Sequence, residues 1–423
     1  MNRILLLLLI LIPSFVFGQL DRERELHKQI LINLKKDLKE NYYDPNLRGI
    51  DLEASIKEAR DLVATAKSVE EMTDIVARVL IQFDDSHLGF IPPARTVSVD
   101  YGFDMQLYGD KVFITSVSDD SDAKKKGLRP GDQVYMFEGF IPTRKEFWLL
   151  KYHYVALAPQ PKLVLIIIKP SGNKYKVEIE AKLIRESVFK PSTRDLMLQW
   201  ENEFRERTHQ QLYDQIPGLA IWKIPAFEFS DVKVDKMIDR VKKGNALILD
   251  LRGNSGGLVY SEKELVSAFF DRDVVICDVL SRKKKETEAV KGDGRKAFTG
   301  KMAVLVDSES ASAAEVFARV IQLEGRGIVI GDQTSGKVMQ SITYDHYFGI
   351  DDVIGYAFSI TDADLIMKDG QRLEKVGVTP DERVLPSPLD LANARDPVLA
   401  RAAEILGFQL SPEDAGKIFT KKK

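Results

Sequence analysis

The 423-residue sequence holds one cysteine, five histidines and three tryptophans, and these scarcities exclude several classes of protein at once. A single thiol cannot close an internal disulfide, so folding must rest on burial. Cys277 lies in the mostly apolar run 274–279 with no activating neighbour, and reads as a buried strand residue rather than a nucleophile. The histidines, His27, His87, His153, His209 and His346, show no metal-ligand spacing, and no metal or organic cofactor is expected. Positive charge is not in excess: 61 Lys and Arg stand against 64 Asp and Glu, a net charge of −3, which argues against a nucleic-acid partner. The basic run 282–285 reads as a solvated loop. No phosphate-loop pattern G-x-x-x-x-G-K-[ST] occurs. The apolar run at residues 4–12 falls well short of the ~20 residues that a membrane span requires.

What is present begins with a basic start, Asn2-Arg3, that apolar run, and small residues up to Gly18. This describes a secretory signal over residues 1–18, cut after Gly18, and predicts an exported protein, periplasmic or extracellular, with no need of a membrane afterwards. Residues 19–95 read as a helical region, with Ile30, Leu31, Leu34 and Leu38, then Ile75, Val76, Val79 and Leu80, at helical spacing. Breaks are predicted at Tyr43-Asp44-Pro45 and at Asp84 to His87, and Pro92-Pro93 ends the region. Residues 96–185 change to short strands near 101–105, 111–114, 133–136 and 163–166, with a short helix at 122–126. A charged, helical connector is expected over about 187–214. Strands at 220–224, 246–251, 274–276, 303–306 and 327–330 then alternate with helices at 232–242, 262–270 and 313–323. That alternation argues an α/β layered domain, placed at 186–410, with a basic tail at 411–423.

Chemistry concentrates where strand 303–306 meets helix 313–323. Ser312 sits at the turn, beside a helix N-terminus whose free N–H groups favour negative charge, and Lys337 lies in a Gly-containing loop downstream. Ser312-Ala313-Ala314-Glu315 also has capping-box spacing, a purely structural use of the same residues. Asp250-Leu251-Arg252-Gly253-Asn254-Ser255-Gly256-Gly257 follows another buried strand, and its glycines allow close approach of a backbone N–H to a ligand.

Six ordered motifs together resemble the tail-specific, or carboxyl-terminal processing, serine protease family. They are Asp85-Ser86-His87 with the following prolines, the strand-rich block 96–185, residues 250–257, Ser310 to Glu315, residues 331–337 and residues 374–381. The resemblance implies a crotonase-like layered α/β catalytic domain with an inserted PDZ-like β domain and an N-terminal helical region. It implies Ser312 as nucleophile, Lys337 as general base, and an oxyanion hole from Ala313 and Gly256 or Gly257. In a PDZ-like domain, Gly102-Phe103 would offer N–H groups to a substrate's C-terminal carboxylate, so the expected partners are proteins or peptides. Some members carry an acidic residue supporting the lysine where this chain has Leu323, with Glu324 beside it. Ser86, His87 and Glu374 resemble accessory residues of the tricorn-like branch, in which a histidine is the base, and Glu315 is a further accessory candidate. Ser/His catalysis, a catalytically silent peptide-binding homologue, and a crotonase-type enzyme acting on acyl thioesters therefore stand as alternatives to the Ser/Lys endopeptidase.

Overall fold

The computed structural model describes residues 4–94, 97–185, 208–349 and 353–419. Its chain begins in one helix, Ile4–Asn41, that runs without interruption through Gly18. Among the described residues no helix is long and apolar enough to cross a membrane. Asp44 ends the first helical stretch by accepting the N–H groups of Asn46 and Arg48 (2.9 and 2.8 Å). Two further helices, Leu52–Thr65 and Val69–Ile81, start where the Asp51 and Ser68 side chains accept the Ala54 and Glu71 N–H groups. Their apolar stripes, Leu52, Ile56, Ala59 and Val63 on one and Met72, Ile75, Val76 and Val79 on the other, close on Ile30, Leu34 and Leu38. The same core takes in Phe90 of strand Gly89–Ile91 and Phe358 and Ile360 of the long strand Ile354–Met367. Strand Gly89–Ile91 pairs antiparallel with that long strand, Gly89 opposite Ser359, which draws the preceding turn, 84–88, across to the rest of the molecule.

Residues 97–185 form a five-stranded antiparallel sheet in sequence order: Phe103–Tyr108, Lys111–Val117, Gln133–Phe137, Lys162–Ile168 and Lys174–Glu180. Burial alternates along Lys162–Ile168, as a sheet with one covered face demands. Strands Val97–Asp100 and Lys182–Arg185 pair with each other, so the chain enters and leaves this module side by side.

The central sheet runs Glu382–Arg383, Ile328–Gly331, Lys301–Val306, Ala246–Asp250, Leu219–Lys223 and Gln211–Ile216. All neighbours in it are parallel except the last pair. Ala246–Asp250 is buried at every position and reads as a continuous apolar run, the mark of a strand covered on both faces. Helices Asp231–Val241, Val259–Ser267 and Ala313–Leu323 return the chain between parallel strands, so the turns after residues 223, 250, 306 and 331 all emerge on one edge. Ligand sites of open parallel sheets form at that edge.

One reading needs correction, and the structure adds two features to the rest. Of the connector expected to be helical, residues 186–207 lie outside the described residues, and residues 211–214 are strand, paired antiparallel with Leu219–Lys223. Residues 411–419 of the expected basic tail pack against the body of the molecule. The short helix Pro412–Ala415 buries Ala415, and Ile418 and Phe419 pack beside Leu399 and Leu406. The long antiparallel pair Met339–Phe348 and Ile354–Met367, absent from the sequence reading, joins the N-terminal helices to the half built on the central sheet.

Candidate active site

Ser312 holds φ +54° and ψ −122°, a region that side chains with a Cβ rarely occupy. Such strain persists only where the surroundings over-determine it, and here they do. The Ser312 N–H is shared between the Lys337 carbonyl oxygen (2.9 Å) and a Glu315 carboxylate oxygen (3.0 Å). The Ala311 N–H donates to the Asn254 carbonyl oxygen (2.9 Å), and the buried Ser310 hydroxyl donates to the Leu251 carbonyl oxygen (2.8 Å). Asp307 adds a further tie by accepting the Gly253 N–H (3.0 Å). The turns after two neighbouring strands are thereby locked together, and Ser312 is held at their junction.

Glu315 is fully buried one turn into the helix. Its carboxylate also accepts the N–H groups of Gly336 (2.8 Å) and Lys337 (2.9 Å) and the Thr334 hydroxyl. Burial pushes its pKa up to about 7 against those donors. The capping-box spacing is thus used to staple the Ser312 turn to the 334–337 loop.

His87 approaches from the N-terminal body, its Nε2 at 3.4 Å from Ser312 Oγ. Asp85 fixes the turn that carries it, accepting the His87 N–H (2.9 Å), the Thr361 hydroxyl (2.8 Å) and the Tyr42 hydroxyl (3.0 Å). Behind His87, Nδ1 lies 2.9 Å from Ser86 Oγ, and the Ser86 hydroxyl donates to Glu374 Oε2 at 2.7 Å. The Glu374 carboxylate accepts the Val338 N–H (2.9 Å) and the Ser86 N–H (2.9 Å) as well. Three donors on one carboxylate assign the protons: Ser86 gives its only hydrogen to Glu374, so its oxygen accepts Nδ1–H, and Nε2 is left as the bare acceptor facing Ser312. Burial, with Lys337 nearby and against the pull of Asp85, lowers the His87 pKa to about 4, so the ring is neutral at pH 7.

Lys337 lies elsewhere. Among the described residues its Nζ makes no hydrogen bond to Ser312 or to any carboxylate, and it sits over the Trp148 ring, 5.8 Å from the centroid. Burial, chiefly, lowers its pKa. Glu324, beside the position of the missing acidic residue, is turned away and paired with Arg272 and Lys368 (2.7 Å each).

The two candidate oxyanion glycines are not equivalent. The Gly256 N–H is already donated to the Asn254 side-chain oxygen (2.8 Å), whereas among the described residues those of Gly257 and Ala313 have no partner. Gly256 serves by its missing side chain: a Cβ there would stand 2.6 Å from Ser312 Cβ. Asn254, which shapes this turn through both its carbonyl and its amide, was not singled out in the sequence; its place inside the glycine-rich motif is the signal that points to it.

Gly102, too, needs its missing side chain, since a Cβ would lie 2.2 Å from Ser121 Cβ. Its N–H is taken by an Asp100 carboxylate oxygen (2.8 Å) and its carbonyl oxygen accepts the Ser118 N–H (2.9 Å). Phe103 opens the edge strand of the antiparallel module and lines a cavity of about 530 Å³ with Asp100, Met105, Lys151 and Glu309. A second cavity of about 410 Å³, also lined by Lys151 and Glu309, reaches Ser255, Ala311 and Lys337.

Residues 218–384 match the model of Peptidase family S41. The chain is 26% identical over 348 residues to the tail-specific protease of Haemophilus influenzae, a match covering 77% of this chain and 46% of that protein. It is 26% identical over 296 residues to the carboxy-terminal processing protease CtpA of Bacillus subtilis, covering 68% and 56% respectively. The chain thus spans about half the length of the curated relatives it matches. Its fold is that of mature CPAF, with a TM-score of 0.66, 15% identity, and coverage of 88% of this chain and 94% of that one. Residues 218–384 thus carry a Peptidase family S41 domain, and the chain is similar to the tail-specific and CtpA-like serine-type peptidases.

Proposed function

We propose that this protein is an exported serine endopeptidase in which Ser312 is the nucleophile and His87 the general base, on a crotonase-like catalytic domain carrying a PDZ-like module at 96–185. The observation that carries the reading is the ordered relay from Glu374 through Ser86 and His87 to Ser312 Oγ, ending on a strained serine. In this scheme Nε2 takes the hydroxyl proton as Oγ attacks the peptide carbonyl carbon. The resulting anion meets the free N–H groups of Gly257 and Ala313 at the helix N-terminus. The imidazolium then gives its proton to the departing amine, and water, activated by the same nitrogen, releases the acyl group from Ser312. The Ser86–Glu374 pair stabilises the imidazolium, because its acceptor faces Nδ1–H throughout.

The Ser/Lys pairing is less well supported, since an amine that serves as base must reach the serine hydroxyl, and the hydroxyl's neighbour is His87. Recognition of a substrate C-terminus at Gly102-Phe103 is supported by the open edge strand and its cavity. The occupied Gly102 N–H and the Asp100 carboxylate beside it weigh against a carboxylate at that loop. The test is hydrolysis of an unfolded protein by the full chain. Ser312→Ala and His87→Ala are each expected to lower kcat/KM by roughly 10²-fold or more. Wild-type rates in His87→Ala would reject this base, and wild-type rates in Ser312→Ala would reject the enzyme.

A further inference from the structure

Among the described residues Lys337 is a cation with no counter-charge in ion-pair contact. It lines the cavity of about 410 Å³ beside Ser255 and Ala311, and a second, of about 550 Å³, beside Asp85, Ser86 and Leu88 of the turn that carries His87. Arg144 lines both cavities as well, but it is committed: its guanidinium pairs with Asp332 at 2.6 Å and donates to the carbonyl oxygens of Gly109 and Gln333. Lys151 pairs with Glu309 (3.3 Å), and Lys375, on the same Trp148 ring, pairs with Asp84 (3.0 Å). The two carboxylates whose charge Lys337 feels are already filled: Glu315 accepts four donors, one of them the backbone N–H of Lys337 itself, and Glu374 accepts three. A cation withdrawn from water and held on an aromatic face, with no anionic partner among the described residues, is suited to receive an anion from outside. The anion that a peptide supplies is a carboxylate.

Resting on the Ser312–His87 reading above, we propose that Lys337 binds a substrate carboxylate on the leaving-group side of the scissile bond, and so sets specificity. The side follows from the chemistry: His87 must deliver its proton to the departing amine, and Lys337 shares a cavity with the turn that carries His87. The carboxylate is either the substrate's free C-terminus or an Asp or Glu side chain shortly after the cut. Its arrival has a second effect. Lys337 is one of the groups that hold the His87 pKa down, and neutralising it makes the ring a stronger base as substrate binds.

The experiment maps, by mass spectrometry, the cuts that the full chain makes in an unfolded protein. It then measures kcat/KM on synthetic peptides spanning one cut, in matched pairs: free acid against C-terminal amide, and Asp against Asn at each of the first three positions after the cut. Wild type is expected to favour one acidic member by roughly 10- to 100-fold, mainly through KM, as a charge-assisted hydrogen bond would give. The free-acid pair identifies a C-terminus and the Asp pair a side chain. Lys337→Met is expected to bring the acidic member down to its neutral counterpart, and Lys337→Arg to restore part of the preference. Equal rates within every wild-type pair would overturn the proposal while leaving the catalytic reading intact. Loss of both members of each pair in Lys337→Met and in Lys337→Arg, matching His87→Ala, would also overturn it, by placing the lysine in the chemistry. Full activity in His87→Ala would instead remove the reading on which it rests.

Discussion

Ser312 shows how a single residue's backbone can be set by function against its own preference. Its φ of +54° is a conformation that costs a residue with a Cβ about 1–3 kcal/mol, met here by the hydrogen bonds that the turn's N–H groups donate to Glu315, Lys337 and Asn254. Removing the Cβ removes the strain, whereas Ser312→Ala keeps it. Ser312→Gly is therefore expected to unfold at higher denaturant or temperature than Ser312→Ala, by about 1 kcal/mol or more, though both are inactive. Equal stabilities of the two variants, measured by chemical denaturation, would show that the turn is not strained.

Among the elements, the turn 84–88 matters most, because it brings His87 to Ser312 from a different body of the molecule. It is held through Asp85 to Thr361 on the long strand and to Tyr42 at the end of the first helix. Asp85→Ala is expected to lower kcat by roughly 10-fold or more with little change in KM, since the ring would lose its placement and not its chemistry. An unchanged kcat would show that His87 is positioned without it. Much of the scaffold was legible in the sequence: helix Ala313–Leu323 lies where its apolar spacing puts it, and the buried parallel strands follow their apolar runs. The long antiparallel pair was not, since Met339–Phe348 alternates polar and half-exposed residues and its partner is chosen by register rather than by local pattern. The approach of His87 to Ser312 was legible only as an alternative, for a related reason. His87 and Ser312 are 225 positions apart, and motif spacing carries no distance across that separation. Lys337 is close in sequence to the nucleophile, yet its side chain leaves the loop toward Trp148 while its backbone alone holds Ser312.

At the scale of the molecule, three bodies converge on one edge of the central sheet, and the edge is secured by a buried ionic knot. Arg252 makes paired hydrogen bonds to Asp250 (2.9 and 2.8 Å) and to Asp396 (2.9 and 2.7 Å). Asp250 is buried, and Arg252 and Lys223 hold its pKa at about 2, below the ordinary 3.8. The stability this contributes is complete above 3.8 and is lost only as the pH falls through about 2. His87 works in a higher window. Its folded pKa of about 4 lies below the ordinary 6.5, so its contribution is complete above 6.5 and is lost as the pH falls towards 4. The knot thus keeps its charge across the range in which the base titrates.

The pH dependence of kcat/KM on a single peptide reports the free enzyme's essential base and tests the account most directly. With His87 neutral as the working form, the rate is expected to rise with pH along an acidic limb whose midpoint lies below 6.5, near 4. A limb centred above pH 7, with none below 6.5, would mean that an amine and not this imidazole takes the proton from Ser312.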